Sequence, residues 1–165
     1  MAPDPFDDVL AANAAYAEHH DLGGLEARAA RHLCVLTCMD SRIDPLSVLG
    51  LKPGDAKVLR NAGARVTEEV LTALVVARHL LDVDRLMVVG HTRCAMSSGP
   101  EASIHAAIAA RGGPDTRSLR LLTAEDQEAA LRADAERVRA SPYLEGLTVG
   151  TFLLDLDTGR LRAIV

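Results

Sequence analysis

Three side chains able to do chemistry close the segment LCVLTCMDSR (33–42): Cys38, Asp40 and Arg42. Farther along, HTRC (91–94) adds His91 and Cys94. Two thiolates and an imidazole form a soft donor set that favours zinc. Three protein ligands leave one corner of a tetrahedron open, as catalytic zinc requires, whereas structural zinc is closed by four. Asp40 lies two residues past a ligand. It can accept a hydrogen bond from water in the open corner, or swing in as a fourth ligand itself. Arg42 can hold that carboxylate by a bidentate pair and keep it off the metal. With the pair intact, zinc can acidify water into a hydroxide nucleophile near neutral pH.

The two motifs make one site only if the fold joins them. LCVLTC (33–38), AKVLRN (56–61) and RLMVVG (85–90) read as strands. LTVGTFLLD (147–155), the turn LDTG and RLRAIV (160–165) read as a hairpin. Helices are expected over 4–20, 66–81, 101–111 and 123–140, with at most a short one at 44–50. Thr67 is the expected N-cap of the second, with Glu68 and Glu69 in its first turn and Arg78 and His79 in its last. Thr123 and Asp126 have the spacing of a capping box, and the charged helix they open reads as a solvated face.

Strands apolar on both sides, alternating with helices, imply an α/β fold. Its mainly parallel central sheet has the order 2-1-3-4, with an antiparallel C-terminal edge strand, and is covered by helices. Sites in such sheets form beyond the carboxyl ends of strands where the crossovers diverge, here between strands 1 and 3. Cys38 ends the first strand and His91 follows the third, so the inferred topology unites the motifs.

The 165 residues suit a single domain, 1–165, with an aliphatic core, since the chain has two Phe, two Tyr and no Trp. A net charge of −5 with no basic run argues against nucleic acid or an anionic membrane as partner. MAPDPFDDVL (1–10) lacks the apolar centre of a signal peptide, and no apolar run is long enough for a bilayer, so a cytoplasmic location is expected. Three cysteines fit metal or catalytic use better than a disulfide framework. Cys34 and Cys38 would stand about 13 Å apart along one strand, too far to bridge. Cys34 reads as a core residue, Gly63 as a turn former, and His19, His20, His32, His79 and His105 as surface or satisfied side chains.

CMDSR (38–42), RNAGA (60–64) and HTRC (91–94) together resemble the beta class of carbonic anhydrases, in its short prokaryotic branch, over most of the chain. The resemblance implies one zinc ion per subunit on Cys38, His91 and Cys94, with Asp40 able to join them, and Asp40 with Arg42 as the catalytic dyad. It implies reversible hydration of carbon dioxide to bicarbonate and a proton. It also implies a homodimer or homotetramer, with the helix at about 4–20 packing on a partner subunit. Many members carry Gly after the second cysteine. Ala95 stands there in this chain, and its methyl is expected to narrow the pocket or restrict the backbone. Two alternatives keep the same site: a carbon disulfide or carbonyl sulfide hydrolase, and a non-catalytic zinc- or bicarbonate-binding relative. A cysteine nucleophile in a phosphate-binding loop is disfavoured, because such loops use Cys-x5-Arg and Arg42 follows Cys38 too soon.

Overall fold

Apolar side chains dominate three of the four longer strands, over 33–38, 85–91 and 148–154, and the first two are buried along most of their length. In the computed structural model, which describes residues 4–165, five strands form one sheet ordered β2-β1-β3-β4-β5. β1 (Leu33–Cys38), β2 (Ala56–Asn61), β3 (Arg85–His91) and β4 (Thr148–Leu154) are parallel, and β5 (Leu161–Ala163) runs antiparallel beside β4. This is the expected α/β architecture and strand order. β1 and β3 are direct neighbours, so the crossover divergence falls between them.

Alternation along β1 feeds two cores. Cys34 and Leu36 join a cluster with Val70, Leu74 and Ala77 of α3 (Glu68–Leu80) and Leu131, Ala135 and Val138 of α5 (Gln127–Arg139). Leu33 and Val35 face the other side with Ile43, Val89 and Leu154, where Val48 of α2 (Pro45–Val48) and loop residues pack against them. Gly90, next to last in β3, lets α5 close in. A Cβ built there would stand 2.7 Å from Leu131 Cδ1, so a side chain would force the buried Leu131 to move.

Helix ends follow local chemistry. Thr67 caps α3 by accepting from the Val70 amide, as its position predicts. Asp44 caps α2 through the Leu46 and Ser47 amides, with Pro45 in the first turn. The capping box over 123–126 does not form. α5 starts at Gln127, and Asp126 itself is the N-cap, its carboxylate 2.9 Å from the Ala129 amide. A carboxylate that satisfies an amide in the first turn leaves Thr123 no helix to open. The reading of α5 as a solvated face also needs correction, since Asp134 is only 6% exposed.

α1 (Asp7–Ala17) lies within the expected 4–20, and α4 (Glu101–Ala110) matches 101–111 closely. No residue of either helix is buried. Among the described residues, no helix is long and apolar enough to cross a membrane.

Candidate metal centre

β1 and β3 end side by side, and the two sequence motifs meet there. Cys38 is the last residue of β1, His91 the last of β3, and Cys94 follows two residues of turn. All three are buried, and their sulfur and ring-nitrogen atoms lie within 4.8 Å of one another. Thr92 fixes the imidazole: its carbonyl, 2.9 Å from His91 Nδ1, can only accept, so Nδ1 carries the proton. The Nε2 lone pair is therefore free, yet this buried atom has no hydrogen-bond partner. A buried polar atom without a partner costs stability, and a metal ion beside two thiolates supplies the partner. Two sulfurs and one nitrogen fit zinc.

Of the two thiols, Cys38 is the one poised as a thiolate, while its hydrogen bond with Cys94 and burial push Cys94 the other way. Cys38 is pulled far below an ordinary thiol, chiefly by the neighbouring Cys94 thiol and further by the Gly63 amide, against the effect of burial. The Gly63 N–H stands 3.4 Å from Cys38 Sγ. Gly63 adopts φ +83°, and a Cβ on it would lie 3.1 Å from Met96 Cβ, so both conformation and space favour glycine. Cys34, by contrast, is pushed up to about 12 by burial and stays an inert core thiol.

Asp40 stands at the rim, its Oδ2 3.8 Å from His91 Nε2. Arg42 grips it in the bidentate manner expected: Nε donates to Oδ1 at 2.9 Å and Nη2 to Oδ2 at 2.6 Å, with the Arg42 amide adding a third bond to Oδ1. That grip holds the Asp40 carboxyl well below the usual carboxylate range. Arg42 Nη2 also reaches the carbonyl of Arg93, a residue with φ +57° in the turn between His91 and Cys94.

Arg60 was quoted in the sequence motif without a role, and the structure supplies one. From β2 its Nε donates to the Cys38 carbonyl at 2.9 Å and its Nη2 to the Asp40 carbonyl at 2.7 Å. One guanidinium thus pins both ends of the Cys-Met-Asp turn. Backbone carbonyls leave no mark on side-chain spacing; the available signal was an arginine at the end of the strand beside Cys38.

A cleft of about 520 Å³ opens onto the centre, lined by Met39, Ala62, Ala95 and Met96 among others. Ala95 begins a short 3₁₀ turn, Ala95–Ser97, and has no positive φ, so its methyl is accommodated without strain. The other histidines find partners elsewhere: His32 with the Asp82 carbonyl, His79 with the Tyr143 carbonyl, His105 with Thr116, His19 with the Ala15 carbonyl and His20 with the Tyr16 hydroxyl.

A family model described as carbonic anhydrase matches residues 33–149, a span that holds the whole constellation. Beta-carbonic anhydrase 1 of Mycobacterium tuberculosis is 31% identical over 169 residues, covering 96% of each protein. The crystal structure of carbonic anhydrase from Streptococcus mutans is 32% identical, covers 100% of both chains and superposes with a TM-score of 0.90. A carbon disulfide hydrolase of Acidithiobacillus thiooxidans is 26% identical, covering 80% of this chain and 76% of its own. Motif, fold and ligand geometry agree with the fuller of these matches: the chain belongs to the carbonic anhydrase family, in its beta class.

Proposed function

We propose that Cys38, His91 and Cys94 hold one zinc ion and that Asp40 and Arg42 work beside it in the reversible hydration of carbon dioxide to bicarbonate and a proton. The observation that carries this reading is the convergence of three buried donor atoms within 4.8 Å, next to a carboxylate already engaged by arginine. Zinc in that position supplies a Lewis acid that lowers the pKa of water.

The chain's own residues do the rest. The Asp40 carboxylate accepts a hydrogen bond from the attacking water and aims its lone pair into the cleft. Arg42 and the turn pinned by Arg60 keep that carboxylate in place and away from the ligand cluster. Met39, Ala62, Ala95 and Met96 offer an apolar wall that suits a small, uncharged substrate. Arg42, half exposed, borders the solvent that takes up the product proton. No residue of the site favours carbon disulfide over carbon dioxide.

The same reading extends to assembly and location. The chain forms one domain whose helix α1 packs on a second subunit in a homodimer or homotetramer. The support is that none of α1's residues is buried within its own chain. The free thiols of Cys34, Cys38 and Cys94 suit a reducing cytoplasm.

Stopped-flow hydration assays on protein of measured zinc content test the function. Acceleration in proportion to bound zinc is expected, and its loss in Cys38→Ser. A rate equal to buffer with zinc fully bound overturns the reading.

A further inference from the structure

The turn between β2 and α3 is tied down from two directions, and it ends on a ligand sulfur. Asn61, the last residue of β2, clamps the turn from within. Its Oδ1 accepts from the Arg65 amide at 2.8 Å, and its Nδ2 donates to the Arg65 carbonyl at 2.7 Å. From α5, the Asp134 carboxylate takes three donors from the same turn. Oδ2 accepts from Arg65 Nε at 2.6 Å and from the Val66 amide at 3.0 Å, and Oδ1 from Arg65 Nη2 at 3.2 Å. Arg65 Nη1 also donates to the Leu122 carbonyl at 2.8 Å.

Both side chains are largely withdrawn from water, at 16% exposure for Arg65 and 8% for Asp134. A buried ion pair is a weak device for stability alone, because apolar side chains of like volume commonly serve as well. What an ion pair adds is direction. Here the direction leads to Gly63 and Ala64, at φ +83° and +59°. Two successive left-handed residues turn the Gly63 N–H onto Cys38 Sγ.

We infer that Asp134 and Arg65 are positioning residues of the metal centre, holding the Gly63 amide on the Cys38 sulfur. The inference rests on Cys38 being a zinc ligand, as proposed above. An amide hydrogen bond draws charge from a thiolate, so the sulfur neutralises its metal less and the Lewis acid stays stronger. Partners behind the ligands also orient them, and their loss typically weakens metal binding by about 10- to 100-fold.

The full chain is tested as Asp134→Asn and Arg65→Lys, with Asp115→Asn as control, since Asp115 pairs with Arg117 on an exposed loop away from this turn. Asn presents an NH₂ where Asp134 accepts, and Lys cannot span both carboxylate oxygens. Zinc affinity is measured by chelator competition, and the sulfur-to-metal charge-transfer band in cobalt-substituted protein. The expected result is at least about tenfold weaker zinc binding in both variants, with the band displaced and the control unchanged. The inference is overturned if wild type binds one zinc ion while both variants keep its affinity and its band, whatever happens to their melting temperatures. If Asp134→Asn fails to fold, Arg65→Lys decides by the same two readouts. A wild-type chain that binds no zinc overturns the functional reading itself, and this inference with it.

Discussion

A single guanidinium grips the carboxylate at the rim of the site, and the proposed function makes that grip the switch between water and metal. Arg42 supplies two side-chain hydrogen bonds to Asp40, and only the backbone amide bond survives its removal. Arg42→Ala should therefore free Asp40 to move the short distance toward the ligand cluster, 3.8 Å from His91 Nε2 as it stands. Zinc content should remain near one per chain while hydration slows at least about a hundredfold, the usual scale for losing a positioned proton acceptor. Metal analysis and stopped-flow assays on one preparation check both halves. Gly63 faces a different demand. Gly63→Ala would put a side chain in the left-handed region, at a cost of roughly 1–2 kcal/mol. It would also press a methyl against Met96. The unfolding free energy from denaturant titration should fall by that amount, and zinc affinity should fall with it as the amide leaves Cys38.

Elements tell how much of this was legible beforehand. β1 and β3 announce themselves as apolar runs, and crossover geometry then brings Cys38 to His91 without any contact being known. Thr67 is equally readable, because a cap acts on amides three residues away. Asp134 was not. On α5 it sits among Arg132, Glu136, Arg137 and Arg139, where one more charge looks like solvated surface. Its partner Arg65 lies 69 positions away, and no local pattern links the two. Arg60 escaped for the same reason, since its acceptors are carbonyls. Local caps carry predictions of their own. Thr67→Ala should cost about 1 kcal/mol in chemical denaturation. Asp44, lowered from 3.8 chiefly by the Ser47 hydroxyl, gives α2 a benefit that is full above the ordinary carboxylate range. That benefit fades as pH falls through the lowered value, because the folded state then loses the charged acceptor. Wild type should thus exceed Asp44→Ala in stability near neutrality, with the margin narrowing in acid.

At the scale of the whole molecule, α1 stands out among the described helices because every one of its residues is exposed within its own chain. α1 has eleven residues, and an isolated helix of that length is marginal in water even with alanine-rich composition. Helices in proteins usually persist because one face is packed, yet Val9, Leu10 and Tyr16 are each more than half exposed. Acidic residues at its start, Asp7 and Asp8, favour the helix dipole but contribute only tenths of a kcal/mol each. The proposed homo-oligomer would cover these apolar side chains with a second copy of the chain. Sedimentation equilibrium should show at least a dimer at micromolar concentration. Leu10→Asp should shift it toward monomer and lower the far-ultraviolet helical signal, since an uncovered α1 frays. Hydrogen exchange separates this from general damage: amides over 7–17 should lose protection while those of β1 and β3 keep theirs. A wild type that is monomeric, with fast-exchanging α1 amides, would show that the helix has no partner in the assembly.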